Sequence, residues 1–224
     1  MPTVLITGAN RGIGLAVATA YRKRGDEVIA TVRRREAGGA LAALGVAVHT
    51  LDVTDDKAAD ALTATLADVP IDTVIANAAV LNSYGAIDDK SHDAKAWADV
   101  LMTNVAGAYF TARAFRPHLA KSRGRLVLIS SSMASSERAR GTAYPYRCSK
   151  AAVSNLAANL AVELKPEGIS VMALDPGWVK TDMGGMSADI TVDVSASGIL
   201  NRIDALTLDR SGCFENYLGQ PIAY

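Results

Sequence analysis

The sequence predicts an α/β chain: a doubly wound parallel sheet flanked by helices. Three observations predict it. Short apolar runs alternate with segments of helical pattern along 224 residues. Several runs are apolar without interruption, such as Leu126-Val127-Leu128-Ile129, which suits strands covered on both faces. The first run also leads straight into a glycine-rich turn and then a helix, at the start of the first crossover.

The elements follow in order. The strand candidates are Thr3–Thr7, Glu27–Val32, Val46–Leu51, Thr73–Ala76, Arg125–Ser130 and Ile169–Leu174. Between the first two, Ile13, Val17, Ala20 and Tyr21 recur at helical spacing, and Gly25 is the predicted stop. Thr54 is the predicted cap of a helix running to about Val69, before Pro70. Asp93–Leu119 and Tyr146–Leu164 read as two long helices, the second closed by Pro166 and Gly168. Right-handed crossovers between parallel strands follow from this alternation. Leu81–Ser91, Ser132–Ala143 and Trp178–Ile190 each follow a strand, so they leave the carboxyl edge of the sheet. Open α/β sheets bind ligands at that edge.

Composition narrows the class. Half the residues are hydrophobic and 21% are charged, which excludes a disordered or fibrous chain. Lys plus Arg equal Asp plus Glu at 23 each, so net charge gives no reason to expect nucleic acid or an anionic membrane as partner. Two cysteines, Cys148 and Cys213, do not make a disulfide framework, and His49, His92 and His118 lack metal-ligand spacing. The opening residues have no basic start and no cleavage pattern of a signal peptide, and no apolar run approaches the roughly 20 residues that span a bilayer. The expectation is one cytoplasmic domain over residues 1–224, with no internal repeat or linker.

The turn Thr7-Gly8-Ala9-Asn10-Arg11-Gly12-Ile13-Gly14 has the chemistry of a dinucleotide cradle. Gly8 permits the sharp exit from the strand, Gly12 admits a pyrophosphate to the backbone, and Gly14 lets the helix pack close. The helix N-terminus then faces the phosphates with its positive end. An NAD site usually carries an acid after the second strand, to bind the ribose 2′-hydroxyl. Here the chain reads Arg33-Arg34-Arg35, and the first acid is Glu36. Arg33 or Arg34, with Arg11 from the glycine turn, suits a 2′-phosphate instead, which predicts NADPH/NADP+. Asp52 ends the third strand, where it can accept from an adenine amino group, and Asn77-Ala78-Ala79 ends the fourth, where small residues let a cofactor lie on the backbone.

Tyr146 and Lys150 are four residues apart, so they share a helical face. A phenol has a pKa of about 10, and lowering it about 3 units takes roughly 4 kcal/mol of differential stabilisation. The Lys150 ammonium is expected to provide it. Tyr144 falls on another face. Ser130-Ser131-Ser132 ends the fifth strand, and one of these hydroxyls can hold a carbonyl oxygen beside the tyrosine. Asn104 interrupts the first long helix, and its amide is expected to hold a water leading to Lys150. Tyr84, Met133, Trp178, Met183 and Met186 are the apolar pocket candidates on the carboxyl-edge loops.

Taken in order, the glycine turn, Asn77-Ala78-Ala79, Asn104, the serine run, Tyr146 with Lys150, and Asp175-Pro176-Gly177 resemble the short-chain dehydrogenase/reductases over nearly the whole chain. The resemblance implies one Rossmann-fold domain of about seven parallel strands in the order 3-2-1-4-5-6-7. It implies a catalytic set of Asn104, Ser131, Tyr146 and Lys150. Ser131 orients the carbonyl, Tyr146 is the general acid, and Lys150 tunes it and binds the nicotinamide ribose. It places the cofactor on Gly8, Asn10, Arg11, Gly12, Ile13 and Gly14, with Arg33 at the 2′ position and Asp52 and Val53 at the adenine. Asn77, Ala78 and Ala79 then flank it, and Pro176, Gly177, Val179 and Thr181 hold the nicotinamide end. The run Gly177-Trp178-Val179-Lys180-Thr181-Asp182-Met183-Gly184-Gly185 and the tail Ser211–Tyr217 are similar to the branch with C-factor and the sniffer-type carbonyl reductases. The chain departs from the family in Ala76-Asn77-Ala78-Ala79, where many members have Asn-Asn-Ala-Gly, and in its 15-residue step from Ser131 to Tyr146, which keeps Ser132 in view.

The implied activity is NADPH-dependent reduction of an aldehyde or ketone to an alcohol. The alternative is a cofactor-binding sensor or signalling protein with little turnover. An extended-type epimerase or dehydratase needs a further substrate domain, for which no residues are left. The expected partners are a small carbonyl or alcohol substrate and a second copy of the chain, as homodimer or homotetramer through the two long helices.

Overall fold

The computed structural model describes residues 1–67 and 69–224. Seven strands form a single sheet: β1 (Thr3–Ile6), β2 (Glu27–Val32), β3 (Ala47–Thr50), β4 (Thr73–Ala76), β5 (Arg125–Ile129), β6 (Ser170–Asp175) and β7 (Cys213–Asn216). Their order is β3-β2-β1-β4-β5-β6-β7, and every pair is parallel. Six of the strands lie within a residue or two of the runs read from sequence. The seventh had no signal of its own beyond the resemblance. Its four residues, Cys213-Phe214-Glu215-Asn216, alternate too weakly to read as a strand, and they gain their ladder only against β6.

Helices cover both faces. On one side lie α1 (Gly12–Arg24) and α7 (Val192–Asp204), with the short α2 (Gly39–Ala43) near the edge. On the other lie α3 (Asp56–Thr65), α5 (Gly107–Ser122) and α6 (Tyr144–Leu164), with α4 (Ala94–Leu101) leading into α5. Two cores result, and β5 shows how they divide. Leu126 and Leu128 join Phe115, Leu119, Ala157 and Leu164 on the α5–α6 side. Val127 and Ile129 join Val17, Tyr21, Ile199 and Ile203 on the α1–α7 side. Successive side chains of a strand point to opposite faces, so a strand buried on both must be apolar throughout.

Two helix readings are corrected. Asp55, not Thr54, caps α3: its side chain accepts from the backbone N–H groups of Lys57 and Ala58. Thr54 instead donates to Asp52. The helix ends at Thr65 rather than near Val69. The segment read as one helix over Asp93–Leu119 is α4 and α5 joined by a π turn over Met102–Ala106, with Asn104 inside it. The second long helix starts two residues early, so Tyr144 opens it and packs edge-on against His92. Gly25 does stop α1, in a left-handed conformation whose N–H bonds back to Arg22. Among the described residues no helix is long and apolar enough to cross a membrane.

Candidate active site

The strand order reverses around β1, and a cleft of about 1310 Å³ opens there at the carboxyl ends of the strands. At one end the turn between β1 and α1 lines it with Gly8, Asn10, Arg11, Gly12, Ile13 and Gly14. Two of these glycines are required by contact. A Cβ on Gly14 would sit 2.7 Å from the Gly8 carbonyl oxygen and 2.6 Å from Asn77 Nδ2. Gly8 has φ +65°, and its Cβ would lie 2.9 Å from Ala78 Cα. Asn77 closes the cradle from β4: its amide donates to the carbonyls of Thr7 (2.9 Å) and Gly8 (3.2 Å), and Thr7 Oγ1 accepts from the N–H groups of Asn77 and Ala78. Turn and strand end thus hold each other, leaving backbone exposed to the cleft where side chains would fill it. Gly14→Ala is expected to destabilise the fold by about 1–3 kcal/mol, because backbone must shift to admit the methyl. A thermal melt that drops by several degrees checks this.

The rest of the wall follows the sheet edge. Arg33 and Arg34 line it after β2, both exposed. Asp52 and Val53 line it after β3. Asp52 Oδ1 is engaged by Thr54, through the backbone N–H at 3.0 Å and Oγ1 at 2.7 Å, so the acid shapes its own turn as well as facing the cleft. Ala78, Ala79, Pro176 and Thr181 complete this part of the wall. Gly177 and Val179 do not line it, and Val179 is buried in a bridge to Ile190. Arg11 lines the cleft and already has a partner. Its guanidinium meets the Asp182 carboxylate at 2.6 Å across the mouth of the cleft, and both side chains are exposed. Exposed pairs of this kind are weak, so an anion can still compete for Arg11.

Tyr146 and Lys150 reach the cleft from α6, and both are buried. Lys150 Nζ donates to the Ile129 carbonyl at 2.7 Å and lies 5.6 Å from the centre of the Tyr146 ring. The serines separate by their partners. Ser130 turns inward, to the Lys150 carbonyl at 3.0 Å and to Ser154 Oγ at 2.7 Å. Ser131 opens the turn before α6, accepts from the Met133 N–H, and faces Tyr146.

Asn104 is placed differently from the expectation. Its Oδ1 accepts from the Val80 N–H at 2.8 Å, and its Nδ2 donates to the Val80 carbonyl and to Ser149 Oγ, each at 3.0 Å. Both hydrogens of the amide are thus engaged by protein partners. It ties the helix to the β4 exit and to α6, and the π turn brings it within reach.

The protonation of the pair also departs from the expectation. Burial pushes the Tyr146 phenol up, the Asp175 charge adds to this, and the Ser131 hydroxyl opposes it. Burial, which excludes the phenolate from water, is the largest of these influences. Burial pulls Lys150 down to about 8, against the pull of Asp175. In the sequence Asp175 figures only in the Asp175-Pro176-Gly177 motif of the resemblance. It is buried, burial raises its carboxyl, and the N–H groups of Ser132 and Gly177 face it. No local signal distinguishes such an acid, since its neighbours come from β5 and α6.

Of the apolar pocket candidates, Met183 lines the cleft. Tyr84, Met133, Trp178 and Met186 do not. Trp178 is 51% exposed and donates from Nε1 to the Gly184 carbonyl at 2.8 Å, so it braces its own loop. The Tyr84 carbonyl accepts from the Ala143 N–H, joining two carboxyl-edge loops just before α6.

This geometry agrees with comparison to known proteins. A family model described as short chain dehydrogenase matches residues 2–189. A Rhodococcus sp. (strain AD45) protein named 1-hydroxy-2-glutathionyl-2-methyl-3-butene dehydrogenase is 33% identical over 96% of each chain. The C-signal protein of Myxococcus xanthus is 35% identical over 69% of this chain and 93% of its own. Among solved structures, the carbonyl reductase Sniffer of D. melanogaster superposes with a TM-score of 0.94 over 100% of both chains, at 30% identity. The NADPH-bound carbonyl reductase from chicken fatty liver gives 0.89 at 31% identity, over 100% of this chain and 99% of its own.

Proposed function

The chain belongs to the short-chain dehydrogenase family, and from that membership we propose that it reduces an aldehyde or ketone to an alcohol with NADPH. The observation that carries the reading is the placing of Tyr146 and Lys150 at one end of the cleft that the glycine turn opens at the other, with the Ser131 hydroxyl against Tyr146 just behind the cleft wall.

The residues fit the cofactor. Backbone of the glycine turn and the α1 N-terminus receives the pyrophosphate. Arg33 and Arg34 would receive the 2′-phosphate, and Asp52 and Val53 would border the adenine. Bound NADPH supplies a hydride to the carbonyl carbon. The protein's own part is the proton and the charge. Tyr146 enters the reaction protonated, as its burial requires, and gives its phenolic proton to the carbonyl oxygen. Ser131 donates a hydrogen bond to the same oxygen and fixes its direction. Lys150 is anchored on Ile129 by one hydrogen, which leaves two for ribose hydroxyls, and its charge offsets the phenolate that remains.

The test is NADPH consumption with a panel of aldehydes, ketones and quinones, run beside NADH. Turnover with NADPH on at least one carbonyl is expected. Likeness to a protein named C-signal favours a second reading, a cofactor-binding signalling protein. Micromolar NADPH binding with no turnover on any member would support that reading instead.

A further inference from the structure

The mechanism above leaves Asp175, a buried acid on the α6 side of the sheet, without a role. Strand alternation fixes where Asp175 points. Ala173 belongs to the core on the α5–α6 side and Leu174 to the core on the α1–α7 side. Asp175, two residues past Ala173, therefore turns toward α6. In the neighbouring strand the same alternation turns Ser130 toward α6, where it bonds to Lys150 and Ser154. The carbonyl that anchors the Lys150 ammonium belongs to Ile129, and Ile129 is the register partner of Leu174. Asp175 thus stands one step along the sheet from the anchor of Lys150, and is 6% exposed. The charged and titratable groups facing it are Lys150 and Tyr146 from α6 and Arg138 from the turn before α6.

We propose that Asp175 is a positioning residue that biases the site toward reduction, by holding both Tyr146 and Lys150 in their protonated states. The inference rests on the reductase reading of these two residues. An ionised carboxylate inside the wall makes a second negative charge, the phenolate, harder to form. The same charge makes an ammonium easier to keep. Reduction of a carbonyl starts from the protonated phenol and the charged lysine. Oxidation of an alcohol starts from the phenolate. One carboxylate therefore favours the starting state of the first and disfavours that of the second.

The test is Asp175→Asn, which keeps the shape and removes the charge. NMR of the Lys150 side chain in the cofactor-free protein gives a readout independent of turnover. In the wild type Lys150 loses its proton as pH rises through about 8. In the variant the ratio of charged to neutral Lys150 at pH 8 is expected to fall at least about threefold, a shift of about half a pH unit. The alkaline limb of carbonyl reduction should move to lower pH by the same amount. The onset of alcohol oxidation with NADP+ should also move to lower pH. A rate that falls evenly at all pH with Lys150 titrating as before would overturn the proposal. A wild type with no turnover would overturn the reductase reading, while the Lys150 titration would still test the charge. If the Asn variant does not fold, the carboxyl carbon of Asp175 in the wild type is followed instead. It must be ionised at pH 7, and a carboxyl still protonated there would refute the inference.

Discussion

Tyr146→Phe is expected to lower carbonyl reduction by at least about 10³-fold while leaving NADPH binding within about twofold, since a positioned acid commonly contributes 10²–10⁴-fold. The argument starts from burial. The ring lies against Lys150 in the cleft wall, and Phe keeps that ring. Only the hydroxyl is lost, so no cavity of consequence forms and the melt should barely move. The lost hydroxyl is the proton donor, and Ser131 is too weak an acid to replace it. Stopped-flow oxidation of NADPH measures the rate, and fluorescence titration measures binding. A variant that keeps a tenth of the wild-type rate would remove Tyr146 as the acid and direct attention to a solvent proton. Ser131→Ala should lose less, about 10²–10³-fold, as for a single lost donor to a developing oxyanion.

Local chemistry made much of this site legible. The glycine turn could be read because its residues are contiguous and each has a steric reason. Tyr146 and Lys150 could be read because helical geometry turns a spacing of four into one face. Strands β1, β4, β5 and β6 could be read because a sheet covered on both sides demands uninterrupted apolar runs. What escaped depends on partners far along the chain. Asn104 signalled itself as a polar residue in an apolar helix, but its actual bonds go to Val80, 24 residues back, and to Ser149, 45 residues on. The π turn that carries it has no signature in the residues Met102–Ala106. Thr54 and Asp55 are both good caps, and only the direction of the chain leaving β3 selects the second. Asp175 gives no sign of its burial in the sequence, because the residues facing it come from the β5 end and α6. The pairing of Arg11 with Asp182 is likewise out of reach of the sequence, since 171 positions separate them. For Tyr146 a spacing reveals the neighbouring charge but not the depth of burial.

The second large effect concerns the cofactor. The double variant Arg33→Ser, Arg34→Ser is expected to reduce the ratio of kcat/KM with NADPH to kcat/KM with NADH by about 10²-fold. Each charge-assisted hydrogen bond to a phosphate is worth about 1.5–3 kcal/mol when shielded. Both arginines are exposed, so the lower end applies to each, and two contacts then give about 10². The change should fall on NADPH alone, because NADH lacks the 2′-phosphate that the arginines would meet. It should shrink at high salt, as expected for charges that water can reach. Asp182→Asn is the complementary test. In the wild type that carboxylate engages Arg11 at 2.6 Å. Freeing Arg11 should tighten NADPH binding if Arg11 also serves the 2′-phosphate, and should leave it unchanged if Arg33 and Arg34 suffice. A preference for NADH in the wild type would contradict the whole basic rim. The absence of an acid after β2 would then need another cause, since a carboxylate there is the usual partner of the free 2′-hydroxyl.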